Sequence, residues 1–447
     1  MVEILWFRND LRLDDQAAVR AAAAAGPVLP VFIWDEESPG VRPMGGASRW
    51  WLARSLEALD VALGRLGGSL LVLKGPSQPL LARLAGEMGA AAIHATEQGE
   101  PWWGAIEAGL GPRLKVHPGG TLHAPGAVRT GAGTPYRVFT PYARAHEALG
   151  APAPPGAAPR SIQFVRPPHP LPELPRYAPR WARGFAAAGW APGEAGAKAR
   201  LSGFLARVAA YDGQRNLPSE EGTSRLSPHL HFGEISASTV WHAVVGAVGA
   251  ETARPFTRQL VWRDFAHDLI RQHPQSAERP HRPAFEKMAW TDTAREPGRS
   301  WLRAWQEGRT GYPLVDAGMR QLWETGWMHN RVRMVAASFL VKHLGIDWRL
   351  GERWFWDTLL DADLMNNAMG WQWVTGSGVD GQPFHRIFAP VTQSERFEAL
   401  AYIRRFAPEY ESHAPVNPIV DHAEARARAL ERFRAISGGR ATDVAGS

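Results

Sequence analysis

Cysteine does not occur in this chain of 447 residues. Disulfides, thiolate zinc sites and cysteine-ligated iron–sulfur clusters are therefore excluded, and no metal site is expected. The absence fits a reducing cytoplasm. No apolar run is long enough to span a bilayer. The opening MVEILWFRND lacks the basic-then-apolar order of an export signal. The alanine run at 21–25 stops at Gly26 and Pro27 and reads as a helix end. Also missing is the GxGxxG turn of a dinucleotide-binding strand–helix unit, because the first apolar run leads into Phe7-Arg8-Asn9-Asp10-Leu11-Arg12. There are no internal repeats.

The length suffices for two or three domains, and 45% hydrophobic with 21% charged residues is ordinary for a globular protein. The net charge of +6 is unevenly spread. Residues 1–125 hold 11 Lys/Arg against 13 Asp/Glu, and the remainder 39 against 31. A basic excess confined to one part suits a polyanionic partner, although a solvated Arg-rich surface would look the same. Of 20 tryptophans, 12 lie between Trp241 and Trp373. That density suggests stacking on bases, packing a flat cofactor or carrying electrons, beside the plainer role of an aromatic core.

Residues 1–125 alternate short apolar runs with amphipathic segments. Val2–Phe7, Val28–Trp34, Ser69–Lys74, Ala91–Ala95 and Arg113–His117 read as strands, with helices at Ala47–Leu66 and Pro79–Met88. This alternation predicts a parallel sheet covered on both faces. Residues 126–195 read as a linker, Pro-rich from 151 to 190. From 196 the pattern turns helical, with apolar spacing over Ala197–Tyr211, Ala237–Val248, Pro255–Gln272, Ser300–Glu307, Pro313–Glu324 and Met328–Leu344.

Three segments carry chemistry. In Glu221-Gly222-Thr223-Ser224-Arg225-Leu226-Ser227-Pro228, Ser227 before Pro228 predicts a hydroxyl-capped helix start. The preceding glycine, hydroxyls and guanidinium suit a phosphate. In Gly326–Met334, helical spacing puts Asn330 and Met334 on one face with Arg333 beside it, a surface able to hydrogen-bond and pack against a flat heterocycle. In Asp361–Trp373, two carboxylates, two amides and two indoles crowd together. Trp371 and Trp373, about 200° apart on a helix, would face different partners, and Asp361 is expected to pair with Arg333. Each segment alone also fits an unremarkable helix.

Together they resemble the photolyase/cryptochrome family. The likeness runs from WFRNDLR at 6–12 and TPYRVFTPY at 134–142 through GTSRLSPHL at 222–230 and TGYPLVDAGMRQL at 310–322. It ends with TGWMHNRVRM at 325–334 and DADLMNNAMGWQW at 361–373. The resemblance implies an α/β, Rossmann-like N-terminal antenna domain with a parallel sheet (1–125) and an all-α C-terminal FAD-binding domain (196–447). Tyr211, Thr223, Ser224, Arg225, Leu226, Ser227, Arg263, Arg333, Asp361 and Asp363 match cofactor-binding positions, and Asn367 matches the one facing flavin N5. An amide there is similar to repair enzymes, whose active flavin is FADH⁻. Asn330 and Met334 match the lesion pocket of enzymes that split cyclobutane pyrimidine dimers. Trp262 and Trp373 match the indoles that wedge against the lesion and contact DNA, and Arg331 is expected to bind DNA as well. Gln259 stands where such enzymes carry a Glu that hydrogen-bonds the pyrimidine, so weakened repair is expected.

The implied function is light-driven repair of UV-damaged DNA by electron transfer from excited reduced FAD, in a cytoplasmic monomer with no membrane and no obligatory protein partner. A folate or a deazaflavin is the expected class of antenna pigment. Photoreduction would run through Trp371 and then Trp348. The usual third tryptophan is Arg295 here, with Trp354 or Trp356 as replacements. The alternatives are a cryptochrome-type blue-light photoreceptor and a (6-4) photolyase. The first would carry a long regulatory tail, whereas this chain ends with the polar stretch Gly438–Ser447, expected to be disordered. The second would show histidines in the lesion region, and here His329 sits beside Asn330, not in its place.

Overall fold

Val2–Phe7 (β1) buries five consecutive side chains, as a strand covered on both faces must. In the computed structural model, which describes all residues except Pro39, 168–170, Gln382 and 438–447, β1 is the centre of a five-stranded sheet. The expected disorder at 438–447 lies outside the described residues. The other strands are β2 (Val28–Trp34), β3 (Leu71–Lys74), β4 (Ala90–Thr96) and β5 (Leu114–His117). All pairs are parallel, in the order β3-β2-β1-β4-β5. Helices α1 (Ala17–Ala25), α2 (Gly46–Arg65), α3 (Ser77–Glu87) and α4 (Trp103–Leu110) alternate with the strands. Ile4, Trp6, Val31 and Ile93 pack with Leu81 and Leu84 of α3 and Ile106 of α4. The alanine run ends α1 at Gly26, as expected. β3 starts two residues later than the apolar pattern suggests, because the Leu70 N–H is taken by Asp60 Oδ1 at 2.8 Å.

Strand order reverses beside β1, where open α/β sheets bind ligands. Arg8 fills that point. Its guanidinium donates to Thr96 O and to Glu107 Oε1 and lies over the rings of Trp6 and Trp103.

The helices that follow are α5 (Phe139–Ala148), α6 (Arg183–Ala187), α7 (Glu194–Leu205), α8 (Tyr211–Gln214), α9 (Ser227–His231), α10 (Ala237–Val248) and α11 (Ala250–Gln272). Then come α12 (Gly298–Gln306), α13 (Pro313–Thr325), α14 (Asn330–Ser338), α15 (Trp348–Thr358), α16 (Leu364–Thr375), α17 (Pro390–Arg396), α18 (Leu400–Phe406) and α19 (His422–Ile436). The sheet-then-helices architecture is the one expected. Several bounds differ for identifiable reasons. The stretch expected as one helix over 197–211 breaks after Leu205 into a 3-10 turn at Val208–Ala210. Pro255 lies inside α11, which starts from Gly249 at φ +76°. The helix expected over 328–344 starts at Asn330, capped by His329, and its last turn is π-helical over Phe339–His343.

The chain divides into two compact units: residues 1–212, 223–274 and 360–363, and residues 213–222, 275–359 and 364–447. In the first, the fully buried carboxylate of Glu234 accepts from Trp51 Nε1, Ser55 Oγ, the Gly193 N–H and His229 Nδ1. In the second, the buried amide of Gln372 accepts the His281 N–H and donates to Ser276 O and Arg279 O. Both satisfy buried polar groups that would otherwise cost about 1–3 kcal/mol each.

Candidate functional site

The Thr223–Ser227 loop belongs to the first unit. Arg225 has φ +52°, a left-handed conformation uncommon outside glycine and characteristic of functional loops. Ser224 Oγ accepts the Leu226 N–H at 3.3 Å, and Leu226 is completely buried, which anchors the loop in the core. The Arg225 guanidinium lies 4.3 Å over the Trp190 ring. Ser227 does not cap α9 as expected. It is the first helical residue, Leu226 holds the cap position, and no side chain caps the helix. Tyr211 packs edge-on against Phe204 and Phe256.

Asp361 and Asp363 lie in the turn before α16, with the Asp363 N–H on Asp361 O at 2.8 Å. His231 Nδ1 stands 3.5 Å from Asp363 Oδ2. Burial by itself would raise the Asp363 pKa. The bond from His231 and the charges of His267, His231 and Arg263 outweigh it and hold the carboxyl well below the usual range. Burial, then the charge of Arg263, pushes His267 down to about 4. Glu100 is buried nearby and accepts from Asn9 Nδ2 and Trp103 Nε1. Burial first, and Asp363 second, push its pKa up. Arg263 donates to Gly120 O and Leu230 O. The cluster therefore holds one firmly ionised carboxylate beside the guanidinium of Arg263 and the imidazoles of His231 and His267.

On α11, Gln259 Nε2 donates to Pro255 O at 3.3 Å, which leaves its carbonyl oxygen as the acceptor of the side chain. Trp262, one turn on, is half-buried and stacks on Phe139.

In the second unit, Asn367 Nδ2 donates twice to Glu352, to its backbone O at 3.1 Å and to Oε1 at 2.8 Å. Both amide hydrogens are thus committed, and Oδ1 is the atom left to meet a ligand. Asn330 Nδ2 and Met334 Sδ are 4.0 Å apart on one face of α14, as their spacing predicts. His329 is buried. Its Nδ1 accepts the Arg331 N–H at 3.2 Å, and burial, followed by the charges of Arg333 and Arg331, pushes its pKa down to about 4. Arg331 donates to Asn216 Oδ1 and lies 4.3 Å over Phe397. Burial lowers its pKa, as do the like charges of Arg215, Arg396 and Arg386. Arg333 donates to Met328 O at 2.7 Å.

Trp371 and Trp373 point different ways on α16, the first buried and the second half-buried. Trp371 meets Phe355 and Trp305 edge-on, and a side chain at Gly351 would collide with its ring. Trp348 is buried at the start of α15. Arg295 is exposed, 3.7 Å from Asp292. Trp354 stacks on Trp323, at 6.0 Å and 8°, and Trp323 is 48% exposed. Sequence reasoning missed His231, His267, Glu100, Glu352 and Trp323. The partners of His231, Glu352 and Trp323 are distant in sequence, and although His267 and Glu100 have near neighbours in Arg263 and Trp103, no local pattern ties either to Asp363.

Residues 3–160 match the DNA photolyase family, and residues 256–416 match the FAD binding domain of DNA photolyase. The chain is 40% identical to a deoxyribodipyrimidine photo-lyase of Agrobacterium fabrum, over 97% of this chain and 98% of that one. A bacterial class III photolyase from Agrobacterium tumefaciens shares the fold at a TM-score of 0.89 and 39% identity, covering 98% of both chains. An archaeal photolyase from Sulfolobus tokodaii holding two FAD molecules matches at a TM-score of 0.80 and 26% identity, covering 97% of this chain and all of the other.

Proposed function

This chain belongs to the photolyase/cryptochrome family, and from that premise we propose that it repairs cyclobutane pyrimidine dimers in DNA by the light-driven action of bound, reduced FAD. The observation that carries the lesion assignment is the face of α14. It presents an amide and a thioether 4.0 Å apart, while the adjacent histidine is buried and serves as a helix cap. Such a face packs against and hydrogen-bonds a neutral pyrimidine pair. It offers no exposed imidazole for proton transfer, which the (6-4) reading requires.

The donor set suits the flavin. Asn367, its nitrogen committed to Glu352, offers an acceptor oxygen, the complement of an N–H at flavin N5. Asp361, Asp363, Arg263 and Arg333 are assigned to the polar parts of the cofactor, and Tyr211 with Thr223, Ser224, Arg225, Leu226 and Ser227 to its phosphate region. When bound, the cofactor supplies the electron that opens the cyclobutane ring and takes it back. The protein's own part is to take the flipped-out lesion, least costly to extract when the base is damaged, and to stack it on Trp262 and Trp373. Gln259 Oε1 accepts from the pyrimidine, and Arg331 with its basic neighbours meets the DNA phosphates.

For photoreduction we assign Trp371 as the inner residue and Trp348 as the next. Trp354, through its stack on exposed Trp323, takes the outer place that Arg295 vacates. The protein acts as a monomer in the cytoplasm, and no helix among the described residues is long and apolar enough to cross a membrane. A folate or deazaflavin antenna is part of the same reading.

The test is an oligonucleotide carrying one thymine dimer, mixed with the reduced protein under blue light and analysed by chromatography. Loss of the dimer is expected. Persistence of the dimer with the flavin reduced, or loss of a (6-4) lesion in its place, overturns the reading. Trp371→Phe is expected to abolish light-driven flavin reduction while chemically reduced protein still repairs.

A further inference from the structure

Phe139 belongs to the TPYRVFTPY segment and has no part in the chemistry described so far. It is 2% exposed at the first position of α5, and its ring lies 3.4 Å from that of Trp262, centroid to centroid, with the planes 9° apart. Phe265, three residues beyond Trp262 on α11, meets both rings edge-on, at 5.9 Å and 71° to Trp262 and at 5.7 Å and 63° to Phe139. The Arg258 guanidinium lies 5.0 Å from the Phe139 ring. All four residues belong to the first unit, where α5 packs on α11.

A close face-to-face sandwich is not the arrangement aromatic quadrupoles prefer. Helix packing imposes it, and it fixes the plane of a half-buried indole. A tryptophan left free to rotate would lose side-chain entropy each time it stacked on a base, whereas one already held flat loses little. One face of Trp262 is taken by Phe139, so the opposite face is the one a base can use.

We propose that Phe139 is a positioning residue for lesion recognition. It backs the Trp262 indole and holds it in the plane that receives a flipped-out pyrimidine, and so sets the preference for damaged over undamaged DNA. This rests on the assignment of Trp262 as a lesion-stacking residue.

The experiment measures, with the FAD-loaded full chain in the dark, the affinity for an oligonucleotide with one thymine dimer and for its undamaged counterpart, and then dimer loss per absorbed photon at saturating DNA. Phe139→Leu keeps an apolar side chain but removes the flat backing. Affinity for damaged DNA is expected to fall about 3- to 10-fold, the range of one aromatic pair, with binding to undamaged DNA and yield at saturation unchanged. Phe139→Tyr, which keeps the plane, restores the preference and serves as the reading variant if Phe139→Leu folds poorly. In a Trp262→Leu background, Phe139→Leu adds no further loss. Additive losses, an unaltered preference in Phe139→Leu, or failure of Phe139→Tyr to retain the preference overturns the inference and leaves Trp262 in place. An unaltered preference in Trp262→Leu alone removes the assignment of Trp262 itself, and this inference with it.

Discussion

Asp363 and Asn367 lie four residues apart in the chain, and each is fixed by a different physical device. Asp363 is held as an ion, with His231, His267 and Arg263 outweighing the cost of its burial. Asn367 is held as a dipole, its nitrogen clamped by Glu352 so that only its oxygen is offered. An ion gives strength without direction, since any cationic donor in reach satisfies it. A clamped amide gives direction with little strength, because its net worth is that of ordinary hydrogen bonds. Retention of a cofactor calls for the first, and choice among its protonation states for the second.

The largest effect should come from removing the ion. Asp363→Asn removes the buried charge that faces Arg263, and losing one partner of a buried ion pair costs about 3–5 kcal/mol. FAD retention, followed by fluorescence on release, should fall a hundredfold or more. Unchanged retention would mean that the charge at Asp363 does not hold the cofactor. Removing the clamp should do less. Glu352→Ala frees the Asn367 amide to turn, at a cost of about 1–2 kcal/mol, and reduced flavin should reoxidise in the dark about tenfold faster. FAD content should stay near that of the unaltered protein. If Glu352→Ala loses the flavin as Asp363→Asn does, the division into strength and direction fails.

How much of this was legible in the sequence follows the same division. The Asn330–Met334 face was readable because helical period alone places residues four apart together, and the opposed burial of Trp371 and Trp373 follows from the same arithmetic. The five strands were readable from runs of buried apolar residues, with bounds off by a residue or two where a side chain such as Asp60 takes a ladder donor. The partners of the two key side chains were not readable. His231 reaches Asp363 from α9, and Glu352 reaches Asn367 from α15, and no periodicity links such pairs. Ser227 misled for a related reason: a hydroxyl before proline is a good cap in isolation, but the left-handed turn at Arg225 and the buried Leu226 set where α9 begins.

Gln259 offers a smaller test on the dipole side. Its nitrogen donates back to Pro255 O, so its oxygen is the atom left to accept, as in Asn367. A carboxylate at this position cannot donate to that carbonyl and, under the proposed lesion assignment, would offer both oxygens to the pyrimidine as a charged and therefore stronger acceptor. Gln259→Glu should raise the dimer-repair yield several-fold without changing FAD content. An unchanged or lower yield would show that the clamped amide already serves as well as the ion.

The smallest effect concerns a pair of histidines that treat acid alike, one in each unit. Burial and neighbouring cations push both His267 and His329 from an ordinary value near 6.5 down to about 4. Between those two pH values these side chains bind protons in the unfolded chain that the folded chain refuses, so their contribution to stability falls as pH drops through the window and levels off below about 4. For His329 the cause is visible in its work. Its Nδ1 accepts the Arg331 N–H that starts α14, and protonation would replace that acceptor with a donor beside two arginines. Asparagine caps a helix equally well and does not titrate. His329→Asn should therefore leave stability at pH 8 within about 1 kcal/mol, and reduce the loss between pH 8 and pH 5 by about 1–2 kcal/mol in urea titrations. Equal losses in the two proteins would show that the His329 cap is not a source of the acid sensitivity.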